Sequence, residues 1–256
     1  MSSQKLPLSV FIVTKNEAQY ILDVIESVNF ADDIVVVDSG SSDNTVQLAE
    51  SAGARVIFNE WPGFAKQKNF AMNQCKHDWV LNLDGDEVLP PNAANSIKKV
   101  IDSNEKAVYR LHFEDVFWSK KMSPKSGKRS IVRLFKKDLA QYPLDRKVHE
   151  NLVVSKGIPQ KSLPGLVTHY GYESTEILMM KQNKYSSLKA MEKFEKGKKP
   201  SLLKLTFIFP LTFVKAFFFK RMFLSGKRGF VHATIDAMYS FLKEAKLFEL
   251  YYRSKD

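Results

Sequence analysis

The sequence predicts an α/β fold: a Rossmann-like, mostly parallel sheet flanked by helices, followed by an amphipathic helical extension. Three observations carry this expectation. Apolar, β-branched runs of strand length alternate with helically spaced stretches from Leu8 to Leu83. Three of those runs lead straight into polar or acidic loops. After Glu176 the pattern changes to long stretches of mixed or aromatic helical character.

Leu8 to Val13 is the first strand, and Glu17 to Val28 carries helical spacing through Tyr20, Ile21, Val24, Ile25 and Val28. Asp33 to Asp38 is almost continuously apolar, as a buried parallel strand is. It breaks at Ser39-Gly40-Ser41-Ser42-Asp43 before a helix from Asn44 to Ala52, for which Asp43 or Ser42 can serve as N-cap. Arg55 to Phe58 makes a third strand, Gly63 to Gln74 a helix, and Asp78 to Leu83 a fourth strand leading into Asp84. Such alternation implies right-handed crossovers and a ligand crevice at the strands' carboxyl ends. Thr14 to Glu17, Asp38 to Asp43 and Asp84 to Glu87 all follow strands, so one rim should hold all three loops.

The chain has 256 residues, 44% hydrophobic and 26% charged, the balance of a folded protein with a substantial core. Lys and Arg number 39 against 28 Asp and Glu, a net charge of +11. That charge attracts nucleic acid, nucleotide phosphates or an anionic membrane face without choosing among them. Cys75 stands alone, which excludes an intrachain disulfide and a thiolate zinc site and favours a reducing compartment. The short N-terminal apolar run is interrupted by Thr-Lys-Asn-Glu and is not read as a signal peptide, so the chain is expected on the cytosolic side.

The fourth strand delivers Asp84-Gly85-Asp86-Glu87 onto its loop. Side chains at i and i+2 of an extended segment point the same way. Gly85 permits close backbone approach, and hard Mg²⁺ or Mn²⁺ prefers carboxylates together with phosphate oxygens. An acidic turn at a strand end shows the same local pattern, so the short motif alone does not decide.

The stretches SVFIVTKNE, DDIVVVDSGSSDNT, WPGFAKQKNFAMNQCKHDWVLNLDGDE and KVHENL stand in that order. Together they resemble the inverting family 2 glycosyltransferases of the GT-A fold, and among them the lipopolysaccharide-core glucosyltransferases of bacteria. The resemblance runs from Leu6 to Tyr172 by motif and more loosely through the tail. It implies a catalytic domain over residues 1–175, with a nucleotide-sugar half to about residue 90 and an acceptor half beyond it, then a helical extension over 176–256.

The resemblance gives Thr14, Asn16 and Glu17 to the nucleotide, with Glu17 accepting from ribose or base. It puts Asp38 on the uracil or ribose side and Asp43 beside it, where capping of a helix explains Asp43 equally well. Lys66 and Lys68 fall where basic residues of the family approach the diphosphate, or else on a solvated helix face. Asp84 and Asp86 match the family's Asp-x-Asp signature. Asp86 is then the direct ligand of a divalent cation, Mg²⁺ or Mn²⁺, with Asp84 shared between ribose and metal and Glu87 behind them. His169, in Thr168-His169-Tyr170-Gly171-Tyr172, is a further candidate ligand, against a histidine simply hydrogen-bonded in a loop. Arg129 and Arg133 can hold an anion bidentately, donor phosphate or acidic acceptor, or form an ordinary basic strand.

The implied chemistry breaks the bond between an anomeric carbon and a nucleotide diphosphate, with negative charge growing on the leaving phosphate. Inversion also needs a base on the opposite face of the sugar ring. Glu150, in Lys147-Val148-His149-Glu150-Asn151, is the candidate, against an ion pair with Arg146 or Lys147. Asp115 and Glu114 come next. Many family members carry Glu-Asp at this point, whereas this chain carries His-Glu.

Glu176 to Lys196 is helical and ends at Gly197-Lys198-Lys199-Pro200. Leu202 to Phe219 is strongly apolar but carries Lys204, Pro210 and Lys215, which favours lying in a membrane interface over spanning it. Lys220, Arg221, Lys227 and Arg228 would meet anionic headgroups. A helix pair packed on the core or on a dimer partner is the alternative.

The expectation is a cytoplasmic enzyme, peripheral on the cytoplasmic face of the inner membrane. It would move a hexose, glucose from UDP-glucose, onto a lipid-linked saccharide such as the lipopolysaccharide inner core. Its partners are a UDP-sugar donor, that acceptor and an anionic membrane surface, with no nucleic acid and a homo-oligomer left open. A nucleotidyltransferase would want a Gly-rich basic loop where Thr14-Lys15-Asn16-Glu17 stands, and a dinucleotide oxidoreductase would want G-x-G-x-x-G. A non-catalytic membrane-bound nucleotide-sugar-binding protein would keep Asp38 and Asp86 and lack a working base.

Overall fold

A computed structural model describes residues 5–143 and 152–254. The chain forms two compact units, whose described residues are 5–114, 129–143 and 152–170 in the first and 115–128 and 171–254 in the second.

The first unit opens with the expected alternation: β1 (Leu6–Thr14), α1 (Ile21–Ser27), β2 (Ala31–Asp38), α2 (Thr45–Ser51), β3 (Arg55–Phe58), α3 (Phe64–Asn73) and β4 (Trp79–Asp84). Strand β1 pairs in parallel with β2 and β4, and β2 with β3. The chain continues through β5 (Glu87–Val88), α4 (Ala93–Ser103), β6 (Val108–Phe117), β7 (Lys120–Lys121), β8 (Arg129–Lys136), β9 (Ala140–Gln141), β10 (Val153–Val154) and β11 (Gln160–Tyr172). Among the described residues the order is β3-β2-β1-β4-β8-β6-β11-β5, with β9 and β10 forming a separate pair. Strand β8 joins β4 antiparallel, so the parallel half passes directly into an antiparallel half.

Both faces of the parallel half are covered, which explains its unbroken apolar runs. Leu8, Val10, Ile12, Val36, Leu81 and Leu83 pack with Ile21, Val24 and Ile25 of α1 and Ile97 of α4. On the other face Phe11, Val35, Val37 and Val80 pack with Ala65, Ala71 and Met72 of α3. Helix α1 starts at Ile21 rather than Glu17, because Asn16 takes a left-handed φ of 58° and Glu17 to Tyr20 form a turn.

One buried carboxylate binds the amino ends of these strands. Asp33 of β2 accepts from Ser9 Oγ of β1 at 2.7 Å, Arg55 Nε of β3 at 2.9 Å and Lys76 N ahead of β4 at 3.0 Å. Burial opposes ionisation of Asp33, and these donors outweigh it, so its pKa falls below the ordinary carboxylate value.

The second unit is built from α5 (Thr175–Glu195), α6 (Leu202–Val214) and α7 (Gly226–Arg253). Ser174 caps α5, its side chain accepting from Ile177 N at 3.1 Å. Helix α6 runs on through a π turn, Lys215–Phe219, and a 3-10 turn, Met222–Ser225, leads into α7. Phe117, Met122, Leu178 and Ile235 form this unit's buried apolar centre. Leu202–Phe219 is long and apolar enough to cross a membrane, and very little of it is buried.

The depressed pKa of Asp33 sets a pH dependence. A carboxyl that titrates lower in the folded chain contributes stability that is full above its unfolded pKa, about 3.9, and drains as pH falls toward the folded value. Asp33→Asn is therefore expected to lower stability at neutral pH and to flatten the loss on acidification below about pH 5, read as urea midpoints across a pH series.

Candidate active site

Parallel register assembles one rim. Thr14 lies opposite Asp38, Asp38 opposite Phe58, and Val13 opposite Asp84. The first two loops are stapled to each other. Asp38 Oδ2 accepts from the Gly40 and Ser41 amides at 2.8 and 2.9 Å. Asn16 N donates to Ser41 Oγ at 2.8 Å, and Asn16 Oδ1 accepts from Ser42 N at 2.8 Å. Glu17 N donates to Thr45 Oγ1 at 2.9 Å.

Asp43 is the second staple. Its Oδ2 accepts from Ala18 N at 3.2 Å and its Oδ1 from Thr45 N at 3.1 Å. The cap position of α2 is Asn44, with no side-chain cap bond, so neither Asp43 nor Ser42 is the N-cap. A small burial penalty opposes ionisation of Asp43, and its donors outweigh it, holding the carboxyl below its usual range.

Beyond β4 the acids divide. Arg133 of β8, with 4% of its side chain exposed, donates to Glu87 Oε1 and Oε2 at 2.6 and 2.7 Å and to Asp84 Oδ2 at 3.0 Å. It also donates to Asn82 Oδ1. The other oxygen of Asp84 lies 3.2 Å from Lys68 Nζ of α3. Burial works against the charge on Asp84, yet Lys68 and Arg133 overcome it and hold its carboxyl far below the usual range. Glu87 goes the other way: burial, aided by neighbouring Asp84 and Asp86, raises it against the pull of Arg133. Glu87 Oε2 accepts from Asp84 N at 3.0 Å and so fixes the loop.

Gly85 explains how the loop lies so close to β1. A Cβ there would stand 2.6 Å from Thr14 Oγ1 and 3.0 Å from Glu17 Cγ. Thr14 Oγ1 is itself buried with no hydrogen-bond partner. Asp86 and His169 are both buried, and His169 Nε2 stands 3.7 Å from Asp86 Oδ2. Strand β11 holds them there, pairing His169 with Glu87 and donating Tyr170 N to Asp86 O at 3.0 Å. The Tyr170 ring stacks on Tyr20 at 4.6 Å.

Among the described residues no three His, Cys, Asp or Glu side chains form a ready metal cage. An oxygen and an imidazole nitrogen facing each other nevertheless fit Mg²⁺ or Mn²⁺ completing its shell with phosphate oxygens. Asp84 faces the cations Lys68 and Arg133.

The structure thus gathers Thr14, Asn16, Glu17, Asp38, Asp43, Lys68, Asp84, Asp86 and His169 around one rim. Lys66 is exposed on α3, while Lys68 is buried. Glu150 lies outside the described residues, as do Arg146, Lys147, His149 and Asn151. The anion of Arg133 is internal, the Asp84–Glu87 pair. Three supports were not anticipated. Tyr142 OH donates to Asn82 Oδ1 at 3.1 Å, and Lys68 Nζ lies 5.9 Å from the Tyr142 ring centroid. Gln67 Nε2 donates to Ser39 Oγ at 3.0 Å, bracing the second loop from α3.

A parallel half-sheet tipped by Asp-x-Asp and continued by antiparallel strands is the GT-A fold of glycosyltransferases. The sequence profile of glycosyl transferase family 2 matches residues 9–155, and the chain belongs to that family. It is 34% identical over 252 residues to the lipopolysaccharide core biosynthesis glycosyltransferase LpsC of Rhizobium meliloti, covering 96% of this chain and 93% of that one. It is 35% identical to an uncharacterized glycosyltransferase of Rickettsia typhi, covering 97% and 89%. Among solved structures, residues 1–349 of S. aureus TarS in complex with UDP-GlcNAc are 14% identical, with a TM-score of 0.49 and coverage of 98% and 93%. Glucosyl-3-phosphoglycerate synthase of Mycobacterium tuberculosis, with Mn²⁺, UDP and glucosyl-3-phosphoglycerate, is 19% identical, with a TM-score of 0.42 and coverage of 66% and 72%.

The Arg133 clamp gives a stability prediction. Arg133→Met strands the buried carboxylate of Glu87 and removes one of the two cations on Asp84, and is expected to cost about 3–5 kcal/mol. Adding Glu87→Gln should recover part of that loss, both read by urea denaturation.

Proposed function

We propose that this family 2 enzyme is an inverting hexosyltransferase that moves glucose from UDP-glucose onto a lipid-linked saccharide of the lipopolysaccharide inner-core type. The observation that best supports this is the division of acids beyond β4. Asp84 faces Lys68 and Arg133, while Asp86 and His169 together offer two donors suited to a cation. The likeness to a lipopolysaccharide core biosynthesis glycosyltransferase over nearly the whole chain supports the acceptor class.

In this reading Thr14, Asn16, Glu17, Asp38 and Asp43 form the nucleoside end of the site. The orphaned Thr14 hydroxyl gains a partner there, and the Asp38 carboxylate has lone pairs beyond those it gives its own turn. Lys68, with Lys66 behind it, attracts the diphosphate. Asp86 and His169 would hold Mg²⁺ or Mn²⁺, and Asp84 would be shared between that ion and the ribose. A divalent cation held there would supply positive charge to offset the negative charge that develops on the leaving diphosphate. Glu150 takes the proton from the acceptor hydroxyl as it attacks the anomeric carbon from the face opposite the leaving group, which inverts that centre. The reaction type calls for a carboxylate there, and the resemblance points to this one.

The enzyme works peripherally at the cytoplasmic face of the inner membrane. The outer residues of α6 and its π turn, Leu202, Leu203, Phe207, Leu211, Phe218 and Phe219, are exposed, and Lys215, Lys220, Arg221 and Lys227 beside them are exposed cations. An apolar face rimmed by positive charge suits anionic lipid.

The chemistry is tested with UDP-glucose, Mn²⁺ and an inner-core acceptor. Asp86→Asn is expected to abolish Mn²⁺-dependent UDP binding in calorimetry. Glu150→Gln should keep that binding and lose about 10²–10⁴ in kcat. Undiminished transfer by either variant rejects its assigned role, and NMR of the product's anomeric proton reads inversion directly. For the membrane, wild-type protein should sediment with anionic vesicles at low salt and less so at high salt. Equal absence of binding in both conditions turns the α6 face toward a protein partner.

A further inference from the structure

We propose that Phe58 is the stacking platform for the planar base of the donor nucleotide. This rests on the reading of the rim as a nucleoside diphosphate site and adds to it a residue that neither the sequence motifs nor the family match single out.

Three observations converge on Phe58. The first is register. In adjacent parallel strands, paired residues present their side chains on the same face. Thr14, Asp38 and Phe58 are consecutive partners across β1, β2 and β3, so their side chains form one row at the rim. Thr14 and Asp38 are buried, whereas Phe58 is 68% exposed, an apolar ring left in water beside a carboxylate.

The second observation is rigidity. The residue after Phe58 is bolted in place: Asn59 N donates to Asp38 O at 2.9 Å and Asn59 Nδ2 to Gln67 Oε1 at 2.6 Å. Gln67 Nε2 returns a bond to Asn59 O at 3.0 Å and another to Ser39 Oγ. The ring itself lies against the turn that Asp38 organises, with Phe58 Cε2 3.7 Å from where a Gly40 Cβ would stand. A backbone fixed beside the ring limits how much freedom is lost when a flat partner settles on it.

The third is distance. The strand order β3-β2-β1-β4 places Phe58 three strand spacings from the Asp86 loop, about 14 Å. Asp86 and Lys68 serve the diphosphate, so the sugar being transferred belongs at the β4 end and the base at the far end of the nucleotide. An aromatic face flanked by the Asp38 acceptor suits a flat heterocycle that carries a ring N–H, as uracil does.

Calorimetry of the full chain with UDP and Mn²⁺ tests this. Phe58→Ala is expected to weaken UDP about tenfold, or 1.4 kcal/mol, within the range for loss of one base–aromatic stack. Phe58→Leu, which keeps bulk without a π face, should stay weak, and Phe58→Trp should bind at least as well as wild type. Inorganic pyrophosphate with Mn²⁺ should bind all four proteins alike. Unchanged UDP affinity in Phe58→Ala overturns the proposal. So does a matching loss for pyrophosphate, which marks a structural role, or a loss confined to UDP-glucose, which moves the contact to the sugar. Wild-type protein that binds pyrophosphate but not UDP removes the nucleotide reading and the proposal with it, an outcome distinct from those.

Discussion

Arg133 is the constraint on which the acidic corner depends. Two carboxylates, one of them 1% exposed at its side chain, stand together on a single short loop. Burial alone would drive a proton onto Glu87, since an uncompensated charge inside a protein costs several kcal/mol, and two adjacent carboxylates repel. The guanidinium of Arg133 makes the pair tenable by taking both oxygens of Glu87 and one of Asp84. Lys68 completes Asp84 from the other side. The result is two acids pushed in opposite directions, Asp84 firmly ionised and Glu87 raised. Asp86, two residues on from Asp84, faces His169.

Rigidity of the rest of the rim follows from a second kind of economy. The first loop holds no helix until Ile21, and its backbone amides would be left to solvent without the second loop. Asn16 takes a strained left-handed turn so that its amide and side chain meet Ser41 and Ser42, and Asp43 and Thr45 receive the next two amides. Three residues assigned by resemblance to ligand binding thus also hold the loops in shape. Asp38, Asp43 and Asn16 each do local structural work, so replacing any of them moves the rim as well as a ligand contact. A preformed site of this kind has less ordering to complete when ligand arrives.

The parallel half was legible because burial on both faces leaves an unmistakable apolar signature in β1, β2 and β4. The antiparallel half was not. Strand β8 reads as a basic stretch, and its partner β4 lies far off in sequence, so nothing local shows that Leu134 sits opposite Leu81 and places Arg133 beside Asp84. Hence Arg133 was legible as an anion binder while its anion was not. The choice between Lys66 and Lys68 was available: Ala65, Lys68, Ala71 and Met72 share one helical stripe, and Lys66 falls off it. Tyr142 and Gln67 gave no such signal, because their partners are polar groups brought in by tertiary packing.

In the helical unit, length and composition describe α6 incompletely, because one of its sides is engaged by α7. Lys204 of α6 lies 3.2 Å from Glu244, a buried residue of α7 that also pairs with Lys193 of α5. Phe213 and Phe217 pack edge-on against Phe230 of α7 at 5.5 and 5.9 Å. A bilayer crossing by Leu202–Phe219 would have to break these contacts and leave Glu244 with one fewer cation. The same helix keeps its charged and aromatic inner side on α7 and turns Leu203, Phe207, Leu211 and Phe218 outward. Lys215, Lys220 and Arg221 stand exposed at the end of that face. Packing within the unit therefore ties one side of Leu202–Phe219 to α7 and leaves its other side exposed.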